Sequence, residues 1–370
     1  MIDQTLYVHV PFCVSKCGYC SFVSFGDRLG EVEAYLTALE QEAGLYHAEA
    51  VSTVYVGGGT PSALSTMQLE QLFEMLRRHF IWPPDAEVTL EMNPATFDEE
   101  KAQVLRQVGV NRISLGVQSF HHGNLAWLGR PYSADEAREA FAVLRAADFG
   151  NINVDIVYSL PDQTPENIIG DIEEAMELNP EHLSCYVLSI EKGSRFYAED
   201  IRGNDADTQA QHFQAVWQRL SRSVWLPYEI SNAAKEGYAC QHNLNYWRGG
   251  NYIGLGLAAH SHREGYRYWN TSNLEDYLRA AGQDPHNLKV GEEFLEPPRR
   301  LLEILLIGLR LTEGVDVLGL ERQLDAVLDR EKKARIEQLV KDGFLACKGV
   351  YLKATDKGRL VLDEICGSLM

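Results

Sequence analysis

Three cysteines fall within eight residues, Cys13, Cys17 and Cys20, in the run Tyr7-Val-His-Val-Pro-Phe-Cys-Val-Ser-Lys-Cys-Gly-Tyr-Cys. Thiolates at positions i, i+4 and i+7 on one loop can converge on three corners of an iron–sulfur cube. Three ligands leave one iron of a [4Fe-4S] cluster open, and the chemistry of such a site depends on what fills that corner. A zinc ion held by the same cysteines and His9 is the competing arrangement. Further along, Gly57-Gly58-Gly59-Thr60-Pro61 follows a β-rich run and precedes a helical one. Glycines there let a ligand approach backbone amides closely, although a plain turn has the same composition.

These residues must be carried by regular elements. β-rich runs at Leu6–Val10, Thr53–Val56, Glu87–Glu91, Arg112–Val117, Asn153–Val157 and Leu183–Val187 alternate with segments of helical period. The helical segments are Glu31–Glu49, Thr66–Phe80, Asp98–Val108, Ala134–Ala146 and Pro165–Leu178. Alternation of this kind predicts an α/β fold with a parallel sheet. The unusual polar residues cluster just past six strand ends. That distribution fits a partial (β/α)6 TIM-like barrel, with its site at the C-terminal face, better than a Rossmann sheet. Residues 1–190 are expected to form this core and 191–295 an accessory region that completes it. Residues 296–370 then form a C-terminal domain of helices and a hairpin, winged-helix-like.

Bulk properties narrow the partners. The chain has 370 residues and a net charge of −19. Phosphate backbones select for Lys and Arg, so nucleic acid is not an expected partner despite the winged-helix-like tail. No run approaches the ~20 apolar residues of a membrane span. The N-terminus lacks a secretory pattern, and the seven cysteines do not read as a disulfide framework, so the expected location is the cytoplasm.

Cys13–Cys20 as CxxxCxxC and Gly57–Pro61 as GGGTP resemble the two signatures of radical S-adenosylmethionine proteins. The resemblance implies that the methionyl amine and carboxylate of S-adenosylmethionine occupy the open iron. Reduction then cleaves the cofactor to methionine and a 5′-deoxyadenosyl radical. The Tyr7–Cys13 opening, Tyr-x-His-x-Pro-Phe-Cys, is similar to that of the oxygen-independent coproporphyrinogen III oxidase-like group. That resemblance carries S-adenosylmethionine contacts onto Tyr7, Tyr19, Gly58, Gly59, Thr60, Glu91, Gln118, Arg130 and Asp155. The types suit the ligand: carboxylates accept from ammonium or ribose hydroxyls, and arginine pairs a carboxylate bidentately.

A third motif, His242-Asn243-Leu244-Asn245-Tyr246-Trp247, reads HNxxYW. With Leu160-Pro161-Asp162-Gln163, it resembles the heme-chaperone (HemW) branch of the group. Heme contacts are then expected at His242, Tyr246 and Trp247, with a structural turn as the alternative. The oxidase carries a further cysteine where this chain has Phe22, and a long N-terminal extension before its first strand. Both differences move the expectation from porphyrinogen decarboxylase to heme carrier. The other readings are the oxidase itself or a methyltransferase or cyclopropane-forming enzyme of the group. The implied partners are heme, a heme-acceptor protein, with respiratory proteins among the candidates, and an electron donor for the cluster.

Overall fold

The computed structural model describes residues 4–370. Six parallel strands run through its centre: β1 (Gln4–Val10), β2 (Thr53–Gly58), β3 (Glu87–Met92), β4 (Arg112–Gln118), β5 (Ile152–Tyr158) and β6 (His182–Val187). They pair in chain order, with Leu6 opposite Val54, Leu90 opposite Ile113 and Val154 opposite Leu183. Parallel neighbours need crossovers. Those are α1 (Val32–Ala43), α2 (Thr66–His79), α3 (Glu99–Gln107), α4 (Ala134–Ala146) and α5 (Pro165–Glu177). Capping boxes at Ser65/Gln68, Ser133/Glu136 and Thr164/Asn167 fix where α2, α4 and α5 begin.

The strand period of two separates two environments. Val54, Leu90, Ile113, Leu115, Val154 and Leu183 point outward and are fully buried beneath the helices. The alternate positions point inward and are polar: Tyr55, Glu91, Arg112, Ser114, Asn153, Asp155 and Ser184 line one central chamber.

The six expected units are present, but the barrel is open and the sheet longer than six strands. Beyond β6 comes β7 (Asn232–Ala234), antiparallel. Beyond β1 lies a seventh parallel strand, β8 (Asn251–Leu255), with Leu6 opposite Ile253. The antiparallel β9 (His260–Arg263), β10 (Tyr266–Asn270) and β11 (Lys289–Phe294) follow it. Part of the accessory region is therefore sheet. α6 (Ala206–Ser221) packs on α5. The short α7 (Gln241–Trp247), which carries HNxxYW, lies against β1 and β2.

The first helix was expected to reach Glu49 and stops at Ala43. Gly44 caps it, the chain turns through Ala48 at φ 53°, and Glu49–Ala50 pairs with Phe80–Ile81. Residues after 296 bury a second core containing Leu301, Leu305, Leu339, Leu345 and Leu352. Three helices there (Pro297–Gly308, Val317–Leu324 and Arg330–Lys341) are joined to a three-stranded wing. This is the expected winged-helix-like arrangement.

Candidate cofactor chamber

The loop after β1 is folded back on itself. Cys13 N–H donates to Phe25 O at 2.9 Å, and Phe25 N–H donates to Pro11 O at 2.8 Å. Lys16 Nζ ties the far side by donating to Phe22 O at 2.8 Å and Ser24 O at 3.3 Å. Cys13 is buried, Cys17 and Cys20 are half-buried, and all three are free thiols on the wall of the chamber. Burial raises the pKa of Cys17 and Cys20; Arg130 opposes the rise at both, and Lys16 also at Cys20. His9 is not placed as a fourth ligand. Its Nδ1 meets Tyr7 Oη at 3.0 Å and its Nε2 meets Val23 O at 2.8 Å. Among the described residues, no three metal-binding side chains lie close enough to share one ion. The three thiols share the wall of one cavity.

The glycine run sits beside this loop under steric compulsion. Gly58 has φ +113°, a conformation that L side chains rarely adopt. A Cβ at Gly59 would stand 2.6 Å from Phe12 O and 2.9 Å from Phe12 N. The cysteine loop and the glycine strand end are thus backbone against backbone. Gly59→Ala is expected to push the loop outward and destabilise the protein by about 1–3 kcal/mol. Urea denaturation of the variant checks this.

Below the loop, Glu91 accepts from Tyr55 Oη at 2.9 Å and from Gly58 N–H at 3.0 Å. Thr60 Oγ1 lies 3.5 Å from Cys13 Sγ and accepts from Asn93 Nδ2 at 2.8 Å. Arg130 donates to Asn93 Oδ1 at 2.9 Å and Tyr19 Oη at 2.6 Å, while its buried Nε has no acceptor. Gln118 is buried at φ +71°, where β4 slips register against β5. Asp155 accepts from Asn153 Nδ2 at 2.8 Å and Ser114 Oγ at 3.1 Å. The three cysteines, Tyr19, Gly58, Gly59, Thr60, Glu91, Gln118, Arg130 and Asp155 all border one cavity of about 430 Å³. That volume lies in the range of small-molecule and cofactor sites. Tyr7 stands behind this wall, its ring stacked on Tyr55 at 6.2 Å.

The HNxxYW residues occupy the opposite end. His242 is buried, with Nδ1 2.8 Å from Thr53 Oγ1 and Nε2 3.1 Å from Tyr246 Oη. Its ring stacks on Tyr55 at 5.0 Å. Glu87 accepts from the backbone N–H groups of Gln241 and His242, each at 3.0 Å. Thr53 and Glu87 begin their strands, so α7 closes the floor of the barrel. Trp247 faces away, under the Arg310 guanidinium at 4.7 Å. Both nitrogens of His242 are engaged, so axial ligation of a heme by this residue requires α7 to leave the floor. Asn243 is the HNxxYW residue that borders the cavity. Sequence reasoning missed Tyr55, Arg112, Asn153, Ser184 and Asn243 as chamber residues. For the four strand residues the signal was the polar half of each strand's alternation; Asn243 lies on α7 and had no such signal.

Residues 7–175 match the radical SAM superfamily model, and 295–361 match the HemN C-terminal domain model. A protein named heme chaperone HemW in Escherichia coli is 40% identical over 375 residues, covering 98% of this chain and 96% of its own length. Its namesake in Mycobacterium tuberculosis is 34% identical, with 99% and 94% covered. The chain belongs to the radical SAM superfamily, in its HemW branch. The family's cofactors are a [4Fe-4S] cluster and S-adenosylmethionine, and the three thiols border the cavity described above. The fold agrees: the coproporphyrinogen III oxidase HemN of Escherichia coli superposes with a TM-score of 0.86 at 25% identity, over 99% of this chain and 89% of that one.

Glu91 gives this family member a pH dependence. Burial pushes its carboxyl up to about 7, against the pull of Tyr55 and Gly58. With the folded pKa above the ordinary value of 4.5, the stability contributed by this group is present at low pH and lost as pH rises through about 7. Binding of a cationic ligand runs the other way, since the ionised carboxylate attracts it. Affinity for S-adenosylmethionine is expected to fall below pH 7 by up to about tenfold per unit. Titration calorimetry across that range checks this, and Glu91→Gln should flatten the profile.

Proposed function

We propose that this protein is a heme chaperone: it binds heme and passes it to an acceptor protein. The reading rests on full-length relatives that bear that name at 30–40% identity. Phe22 supports it, standing 63% exposed at the cavity rim where the oxidase pattern has a cysteine. In this reading Cys13, Cys17 and Cys20 hold the cluster. Tyr7, Tyr19, Gly58, Gly59, Thr60, Glu91, Gln118, Arg130 and Asp155 hold or position S-adenosylmethionine. When bound and reduced, the pair supplies one-electron cleavage chemistry. The protein's own residues dictate access: Arg130 holds the Tyr19 hydroxyl at the cavity wall, and the Glu91 carboxylate meets the cationic part of the ligand.

The core spans 1–190, the accessory region 191–295 and the tail 296–370. Among the described residues no helix is long and apolar enough to cross a membrane. We assign the protein to the cytoplasm, with an electron donor for the cluster and a heme-acceptor protein as partners. The test is anaerobic titration of the reconstituted protein with heme. A shifted Soret band that survives gel filtration supports the chaperone. Absence of heme retention with an intact cluster overturns it. The likeness to HemN keeps an enzymatic reading in view, and formation of the divinyl porphyrinogen product from coproporphyrinogen III would establish that alternative.

A further inference from the structure

Arg112 begins β4 and points into the barrel. It is 1% exposed and borders the same cavity as the cysteines. A guanidinium buried to that degree is ordinarily forked onto a carboxylate. This one is not. Its Nε is a buried donor without an acceptor, and no ion pair forms at the group among the described residues.

The acidic side chains nearby are already engaged. Glu87 accepts from the amides of Gln241 and His242, Glu91 from Tyr55 and Gly58, and Asp155 from Asn153 and Ser114. The Arg112 guanidinium lies at the bottom of the chamber, where Asn243 of the floor also borders the cavity. Gln118, among the S-adenosylmethionine residues, lies at the other end of β4, about 20 Å away at ordinary strand rise.

We propose that Arg112 anchors a carboxylate-binding subsite on the chamber floor, beneath the S-adenosylmethionine residues. Its ligand is a second small molecule bearing a carboxylate. A planar guanidinium matches a planar carboxylate bidentately, and the Nε of this one has no acceptor. Asn243 places one residue of HNxxYW against that ligand, which gives the motif a role in the chamber that does not depend on His242 reaching a metal. The inference stands apart from the heme reading.

The test is thermal unfolding of the cluster-reconstituted protein in sodium propionate, compared with sodium chloride and sodium phosphate at equal ionic strength. A ligand that binds only the folded state raises Tm. Propionate is expected to raise it by about 2–4 °C over chloride. The gain should vanish in Arg112→Gln. It should also vanish in Asn243→Asp, which places a carboxylate on the same floor and decides the matter if Arg112→Gln does not fold. The proposal is overturned if propionate gives no gain over chloride, if the gain survives in the folded variants, or if phosphate alone produces it.

Discussion

Replacing Cys17 with alanine is expected to reduce the iron and sulfide retained after anaerobic reconstitution to background. S-Adenosylmethionine affinity should fall at least ~100-fold with them, because a ligand that chelates the open iron loses its main attachment. Cys17 is half-buried in a loop held by backbone bonds at Cys13 and Phe25 and by Lys16. None of those bonds uses the Cys17 side chain. Far-ultraviolet circular dichroism should therefore be unchanged while the visible absorption of the cluster disappears. Cys13→Ala and Cys20→Ala are expected to behave alike. By contrast, Cys185→Ala, in β6 outside the cavity, should retain full iron and sulfide. Loss of iron in the β6 variant and retention in the loop variants would mean that the cluster lies elsewhere.

His242→Ala carries the second large effect, and it is one of stability. The ring fills the barrel floor against Tyr55 and Tyr246 and bonds to Thr53 and Tyr246. Truncation leaves a cavity and strands the Thr53 hydroxyl, at a cost of about 2–4 kcal/mol. The pH dependence should change with it. Burial, aided by Arg112, lowers the His242 pKa to about 3 from 6.5. A histidine held neutral in the fold contributes stability above its unfolded pKa, and that stability is lost as pH falls from 6.5 towards 3. The variant should be less stable at neutral pH and less sensitive to acid across that interval. Urea unfolding at several pH values measures both. The same variant bears on heme: an unchanged Soret position in the heme complex would identify an axial ligand other than His242.

What could be read from the sequence, and what could not, divides by the range of the contacts involved. Cys13, Cys17 and Cys20 are neighbours on one loop, and Gly57–Pro61 is one strand end, so local spacing revealed both. The six β/α units were visible for the same reason, since each strand and its crossover is a local pattern. The floor was not visible, because it is made by pairs far apart in the chain. Thr53 and His242 are 189 residues apart, and Glu87 and Cys240 are 153. Periodicity carries no information about such pairs. β8 was hidden too: Asn251–Leu255 follows Gly249-Gly250 among aromatics and reads as loop until it pairs with β1. Arg112 was the nearest miss. A charged residue opening the strand run Arg112–Val117 signals an inward-facing group, but only the fold shows that its Nε finds no acceptor.

The chaperone account is tested most directly by loading the reconstituted protein with heme, removing excess heme, and mixing it with a heme-free acceptor hemoprotein. The account predicts that the Soret band moves from the position of this protein's complex to that of the acceptor, with the cluster intact throughout. Failure to load heme, or decarboxylation of coproporphyrinogen III by the same preparation in place of heme transfer, would contradict it.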